Sequence, residues 1–179
     1  MKATRSLLAA MVLGTAICAS QASAQNCGGI GSCNLTNTAS VSVGALVKLT
    51  MSSATTSLTA PSANDLDGGA ILADIGPTFT IKANRSWTLK IKTSNATNFS
   101  YTGSNTGVKP IGDLAWATTS GGTYVAITNS DATFASGAAA TNSGSAAAFF
   151  KTTWVADFAS PANVEGTYTL PIVFTLSAP

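Results

Sequence analysis

The sequence contains no histidine. That removes the commonest general base, the usual serine and cysteine triads, and most zinc shells. Charge is scarce too, at 9% of residues. The seven acids are Asp65, Asp67, Asp74, Asp113, Asp131, Asp157 and Glu165. All but Asp157 fall in or beside expected turns, where aspartate is favoured for bonding the backbone. No carboxylate pair of the kind that hydrolyses glycosides stands out. The expectation is therefore no enzyme and no cofactor.

Long apolar runs are missing as well. Leu7 to Ile17 follows Lys2 and Arg5 and precedes Ala22-Ser23-Ala24. A positive start, a short apolar core and a small-residue cleavage site describe a secretory signal peptide, residues 1–24. The core falls short of the ~20 residues that span a bilayer, so no transmembrane segment is expected after cleavage. Lys2 and Arg5 also account for the whole net charge of +2. The remainder is formally neutral and has no basic field to attract nucleic acid. Cysteine is nearly absent. Cys18 lies in the leader, which leaves Cys27 and Cys33 in C-G-G-I-G-S-C. An even count in an exported chain points to a disulfide, and Gly28, Gly29 and Gly31 let so small a loop close. Residues 25–37 thus read as a disulfide-closed N-terminal segment before a single domain over 38–179.

What is present is period-two alternation. In the last stretch, Tyr168, Leu170, Ile172, Phe174 and Leu176 take every second position, which predicts a strand with one buried face. Pro171, on the outward phase, cannot donate to a ladder and marks this strand as an edge or as bulged there. Thr38 to Ser52 reads as a first strand with a bulge at Gly44. Thr78–Ala83 and Ser86–Thr93 read as a hairpin closed at Asn84-Arg85, with Trp87, Leu89 and Ile91 inward. Asp113–Thr119 and Thr123–Thr128 read as a second hairpin. Phe99–Tyr101, Ala132–Ala135 and Phe149–Phe158 add strands. The stretch 53–77 reads as loop around a short apolar piece, Ala70 to Ile75. Residues 136–147, built from small residues, read as a mobile surface loop. No helical period appears outside the leader, which excludes the βαβ folds that carry nucleotide sites. The expected fold is all-β: an antiparallel β-sandwich of about eight or nine strands.

Two surface features are candidate sites. Asn64-Asp65-Leu66-Asp67-Gly68-Gly69 alternates oxygen ligands before glycine, which makes Asp65 and Asp67 a weak calcium candidate with a short ligand count. Lys82, Arg85, Lys90 and Lys92 concentrate basic charge on the expected hairpin and form a candidate polymer-binding patch; outward lysines also discourage edge pairing.

Trp87-Thr88-Leu89 in the body of the chain and Phe174-Thr175-Leu176 near its end together resemble the WxL domain of bacterial cell-surface proteins. That family carries one Trp-x-Leu motif within the domain and a second in the final strand; here Phe174 stands where the second tryptophan is expected. The resemblance implies a secreted domain held noncovalently at the cell wall or envelope, with Trp87, Leu89, Phe174 and Leu176 as motif and core residues. The resulting expectation is a secreted or surface-attached bacterial β-domain, structural or adhesive, whose partner is the cell envelope or an extracellular polysaccharide. The alternative is a fimbrial-type subunit that self-associates by strand addition, offering Leu35, Asn37, Ala39, Val41 and Val43 as an alternating segment.

Overall fold

A computed structural model of the chain describes residues 26–179. The expected signal peptide, 1–24, lies outside the described residues. The chain divides into two units, Met1–Ser42 and Val43–Pro179. In the described part of the first, every residue is exposed and none belongs to a helix or strand. Cys27 and Cys33 are joined by a disulfide, their Cα atoms 6.1 Å apart.

The second unit is an all-β sandwich of antiparallel sheets. Its strands are β1 (Val47–Met51), β2 (Ala70–Ala83), β3 (Trp87–Thr93), β4 (Ser100–Thr102), β5 (Leu114–Ala117), β6 (Val125–Ala126), β7 (Ala132–Gly137), β8 (Thr141–Trp154), β9 (Thr167–Thr169) and β10 (Ile172–Ser177). One sheet has the order β1-β2-β8-β5-β6, a second β10-β3-β7, and β4 and β9 form a two-stranded ribbon. Phe79 and Ile81 from the five-stranded sheet meet Leu89, Ile91 and Phe134 from the three-stranded sheet in one core. Among the described residues, no helix is long and apolar enough to cross a membrane.

Four sequence expectations need correction. The first concerns the expected hairpin at Asn84-Arg85. β2 pairs with β1 and β8, and β3 pairs with β10 and β7, so the chain crosses from one sheet to the other at this corner. Both strands carry a buried row, and the periodicity that reveals the row does not reveal the partner. Second, the first strand starts at Val47 rather than Thr38. Its ladder opens at Val47↔Ala83, where β2 ends. Asn84 then takes over from the ladder: its side chain accepts from the Leu46 amide at 2.9 Å and donates to the Gly44 carbonyl at 2.8 Å.

Third, the apolar piece Ala70 to Ile75 is not loop but the first half of β2. A register shift between Ile75 and Thr78 joins the halves. Such a bulge flips which side chains face inward. The inward phase moves from Ala70 and Leu72 to Phe79, Ile81 and Ala83. Fourth, most of the stretch 136–147 is strand. Phe79 pairs with Ala146 and Ile81 with Gly144, so β8 lies beside β2 along most of its length. Its small residues fit there because the facing side chains are large; a Cβ at Gly144 would lie only 3.4 Å from that of Ile81.

A short helix, α1 (Ala63–Gly68), interrupts the 53–69 connection. The Asp65 amide donates to Ser62 Oγ, while the Ser62 amide donates to Asp65 Oδ2 at 2.7 Å, a reciprocal cap.

Candidate functional site

The sandwich is unequal. Five strands face three, so part of the larger sheet's inner side is not covered by the smaller one. Along β8 the inward row is Phe150, Thr152 and Trp154. The opposing row, Tyr168, Leu170, Ile172 and Phe174, comes from β9, β10 and the link between them and is half-buried. The chain breaks between these two strands at Leu170-Pro171, and β10 is an edge strand, as Pro171 requires. The freed Pro171 carbonyl accepts from Thr93 Oγ1 at 2.8 Å. A third wall is the segment 53–61. Asp74 holds it by accepting from the Thr59 amide at 3.1 Å and the Thr59 hydroxyl at 2.6 Å. Together the three walls enclose an open cleft of about 1120 Å³.

The cleft is mostly apolar, with polar groups buried behind its wall. Lys109 is 1% exposed. Its ammonium donates to the Thr153 carbonyl at 2.6 Å and to Asp113 at 3.2 Å, and it sits over the Trp154 ring. Burial pulls its pKa below the ordinary lysine value, and the Asp113 carboxylate opposes that shift. Tyr168 donates to the Val164 carbonyl at 2.9 Å, and burial, with Tyr101 close by, pushes its phenol pKa up. Three buried side-chain atoms of lining residues have no hydrogen-bond partner among the described residues and almost no accessible surface: Thr152 Oγ1, Trp154 Nε1 and Asn163 Oδ1. A buried polar atom left unpaired costs about 1–3 kcal/mol.

The calcium candidates lie elsewhere. Asp65 caps α1, and its bonds to Ser62 hold its carboxyl below the usual carboxylate range. Among the described residues no group of three or more His, Cys, Asp or Glu side chains could share a metal ion. The basic residues are divided. Lys90 and Lys92 both reach Asp131, at 3.7 and 3.0 Å. Lys82 lies on the other sheet opposite Lys48, and Arg85 is exposed at the crossing corner. The structure thus brings Lys90 and Lys92 together and sets Lys82 on a different outer face.

The two motif tripeptides become neighbours. Leu89 is the cross-strand partner of Leu176, and Ile91 that of Phe174. Phe174 packs on Phe79 and Phe134, with ring centres 4.4 and 5.3 Å apart. Trp87 and Leu89 are buried in the same core. Comparison with family models, curated proteins and solved structures finds no match for this chain.

Sequence reasoning missed Lys109, Thr152 and Asn163. Thr152 did carry a signal, as the one hydroxyl on the inward phase between Phe150 and Trp154. Lys109 and Asn163 carried none, because both sit in irregular segments whose burial depends on distant strands.

Proposed function

We propose that this chain is an exported, envelope- or surface-associated β-domain that binds a cell-wall or extracellular polymer noncovalently. The observation that carries this reading is the cleft: a large, open, mostly apolar recess with the half-buried Trp154, Tyr168 and Phe174 in its wall is the usual form of a binding site. The likeness of Trp87-Thr88-Leu89 and Phe174-Thr175-Leu176 to the WxL pattern adds support. Binding rather than catalysis is supported by the acids. Asp65, Asp74, Asp113, Asp131 and Asp157 each accept a structural hydrogen bond or ion pair. The test is sedimentation of the purified chain lacking residues 1–24 with isolated bacterial envelopes at physiological salt. Co-sedimentation is expected, and its absence would defeat the reading.

A second reading, self-association by strand addition, is favoured by the N-terminal stretch. Leu35, Val41 and Val43 share one alternating phase in a stretch outside helix and strand and are 60%, 89% and 71% exposed. It requires concentration-dependent polymers that vanish when residues 26–42 are deleted. A monodisperse monomer at high concentration would remove it.

A further inference from the structure

We propose that the free edge of β10 accepts the stretch Leu35–Val43 of a second copy of this chain as a fourth strand of the smaller sheet. The inference rests on the strand-addition reading and gives it an acceptor.

The backbone groups of this edge are available. Thr93, opposite Ile172, turns its amide away from β10 to the Thr128 carbonyl at 2.9 Å, while the Ser94 amide donates to the Pro171 carbonyl at 3.3 Å. In an antiparallel ladder, residues that bond the partner strand alternate with residues that do not. Val173, Thr175 and Ser177 therefore face β3 with their backbone groups, and Ile172, Phe174 and Leu176 turn theirs to the open side. The register runs from Ile172↔Thr93 to Ser177↔Thr88 without a shift, so the three lie in one row. Outside the β3 ladder, no backbone group among the described residues pairs with them. Their side chains form the inward row and are half-buried. A strand added here would complete the backbone bonds and cover the open flank of that row.

The other sheet edges are guarded and this one is not. A strand edge invites pairing unless it is short, bulged or charged. β1 carries the exposed Lys48. β6 is two residues long. β7 follows Asp131 and meets β3 across a register shift. β10 has six residues in even register and no charged side chain.

The occupant is matched to that edge. Leu35, Asn37, Ala39, Val41 and Val43 form one phase, and Thr36, Thr38, Ser40 and Ser42 form the other. β10 divides in the same way, into Ile172, Phe174 and Leu176 against Val173, Thr175 and Ser177. At ~3.3 Å per residue the stretch reaches ~30 Å, enough to pair the whole of β10. Residues 26–47 contain no Asp, Glu, Lys or Arg. An uncharged strand thus meets an uncharged edge, and no ion is desolvated. Within the single chain the stretch is exposed at every residue and belongs to no strand, so its apolar row remains to be covered. Each copy offers one strand and one edge on different surfaces. That contact is head-to-tail and builds open filaments rather than closed dimers.

The experiment uses the chain lacking residues 1–24, its V41K variant and a synthetic peptide of residues 34–44. Val41 is 89% exposed, so V41K leaves the fold intact while placing a charge in the apolar row. Sedimentation velocity is expected to show polymers of the wild type that grow with concentration and persist in high salt, and a monomer for V41K. The peptide should bind the V41K chain one to one, and a peptide carrying V41K about tenfold more weakly. Amide hydrogen exchange by NMR locates the strand: bound peptide should slow exchange at Ile172, Phe174 and Leu176. Peptide binding that protects another edge would overturn β10 as the acceptor and leave strand addition standing. A monomeric wild type already protected at these three amides would show the stretch folded onto its own edge and overturn the second copy as partner. A monomeric wild type with the three amides unprotected and no peptide binding would defeat the inference and the reading together.

Discussion

The Lys109 ammonium lies 3.9 Å from the centre of the Trp154 ring. This contact joins the segment before β5 to the end of β8, and the same amine bonds Asp113 and the Thr153 carbonyl. Truncation would strand a carboxylate and a carbonyl beneath the cleft. K109A is expected to cost about 2–4 kcal/mol, measured by urea unfolding.

The same residue predicts a pH effect. Its folded pKa lies below the unfolded value of 10.5. Above the folded pKa, the unfolded chain therefore binds more protons at this site than the native one. The Lys109 contribution to stability must rise with pH from the folded pKa toward 10.5. The difference in stability between wild type and K109M, followed from about pH 8 to pH 11, should show this rise. A flat difference would place the ammonium in a solvated setting.

Asp131 predicts the opposite limb. Hydrogen bonding to Lys92, chiefly, holds its carboxyl below 3.8. The stabilisation it gives is present above that unfolded value and is lost as pH falls through the folded one. D131N should flatten part of the acid limb of a stability-versus-pH curve. The side chains are about two-fifths exposed, so the effect should shrink as salt is raised.

Gly166 adopts φ +154, and a Cβ there would lie 2.5 Å from the Tyr101 ring and 2.7 Å from the Thr102 carbonyl. G166A is expected to destabilise by about 2 kcal/mol or more, by backbone strain and by displacing Tyr101 from Tyr168. Denaturant unfolding checks the first effect, and near-ultraviolet circular dichroism checks the second.

Phe174 joins the rings of Phe79 and Phe134 across the two sheets. F174A should cost about 2–3 kcal/mol, somewhat less than for a fully buried phenylalanine. Removing residues 168–179 deletes β10 and exposes the edge of β3; no cooperative melt is expected. A soluble truncation that melts cooperatively would show that β10 is dispensable.

Burial was readable from the sequence where side chains alternate by size and polarity. The rows Phe79/Ile81, Trp87/Leu89/Ile91 and Leu114/Trp116 are buried as the period requires, and the β5–β6 hairpin pairs as its Gly121-Gly122 connection implies. Pairing was harder to read. Asn84-Arg85 is as short as a hairpin turn, yet it joins strands of different sheets. The small residues of 141–147 have weak strand preference, and only the facing β2 makes them a strand. The cleft was least legible. Thr152 becomes an unpaired hydroxyl only once β9 and β10 stand opposite, and Lys109 becomes buried only once Trp154 and Thr153 close over it.

The crossing at Asn84-Arg85 also bears on how the domain reaches its native state. Neither β2 nor β3 finds its partner in the other; β1 is already made and pairs the end of β2, but the first half of β2 must wait for β8, and β3 for β7 and β10. A topology of such distant pairings pays loop closure before contacts form, and it folds on the millisecond-to-second scale. During that interval β2 presents Ile71 and Ile75, which remain exposed even in the finished sheet. A refolding solution should therefore lose more protein to aggregation as concentration rises, and charged substitutions at these two positions should raise the yield without altering the fold.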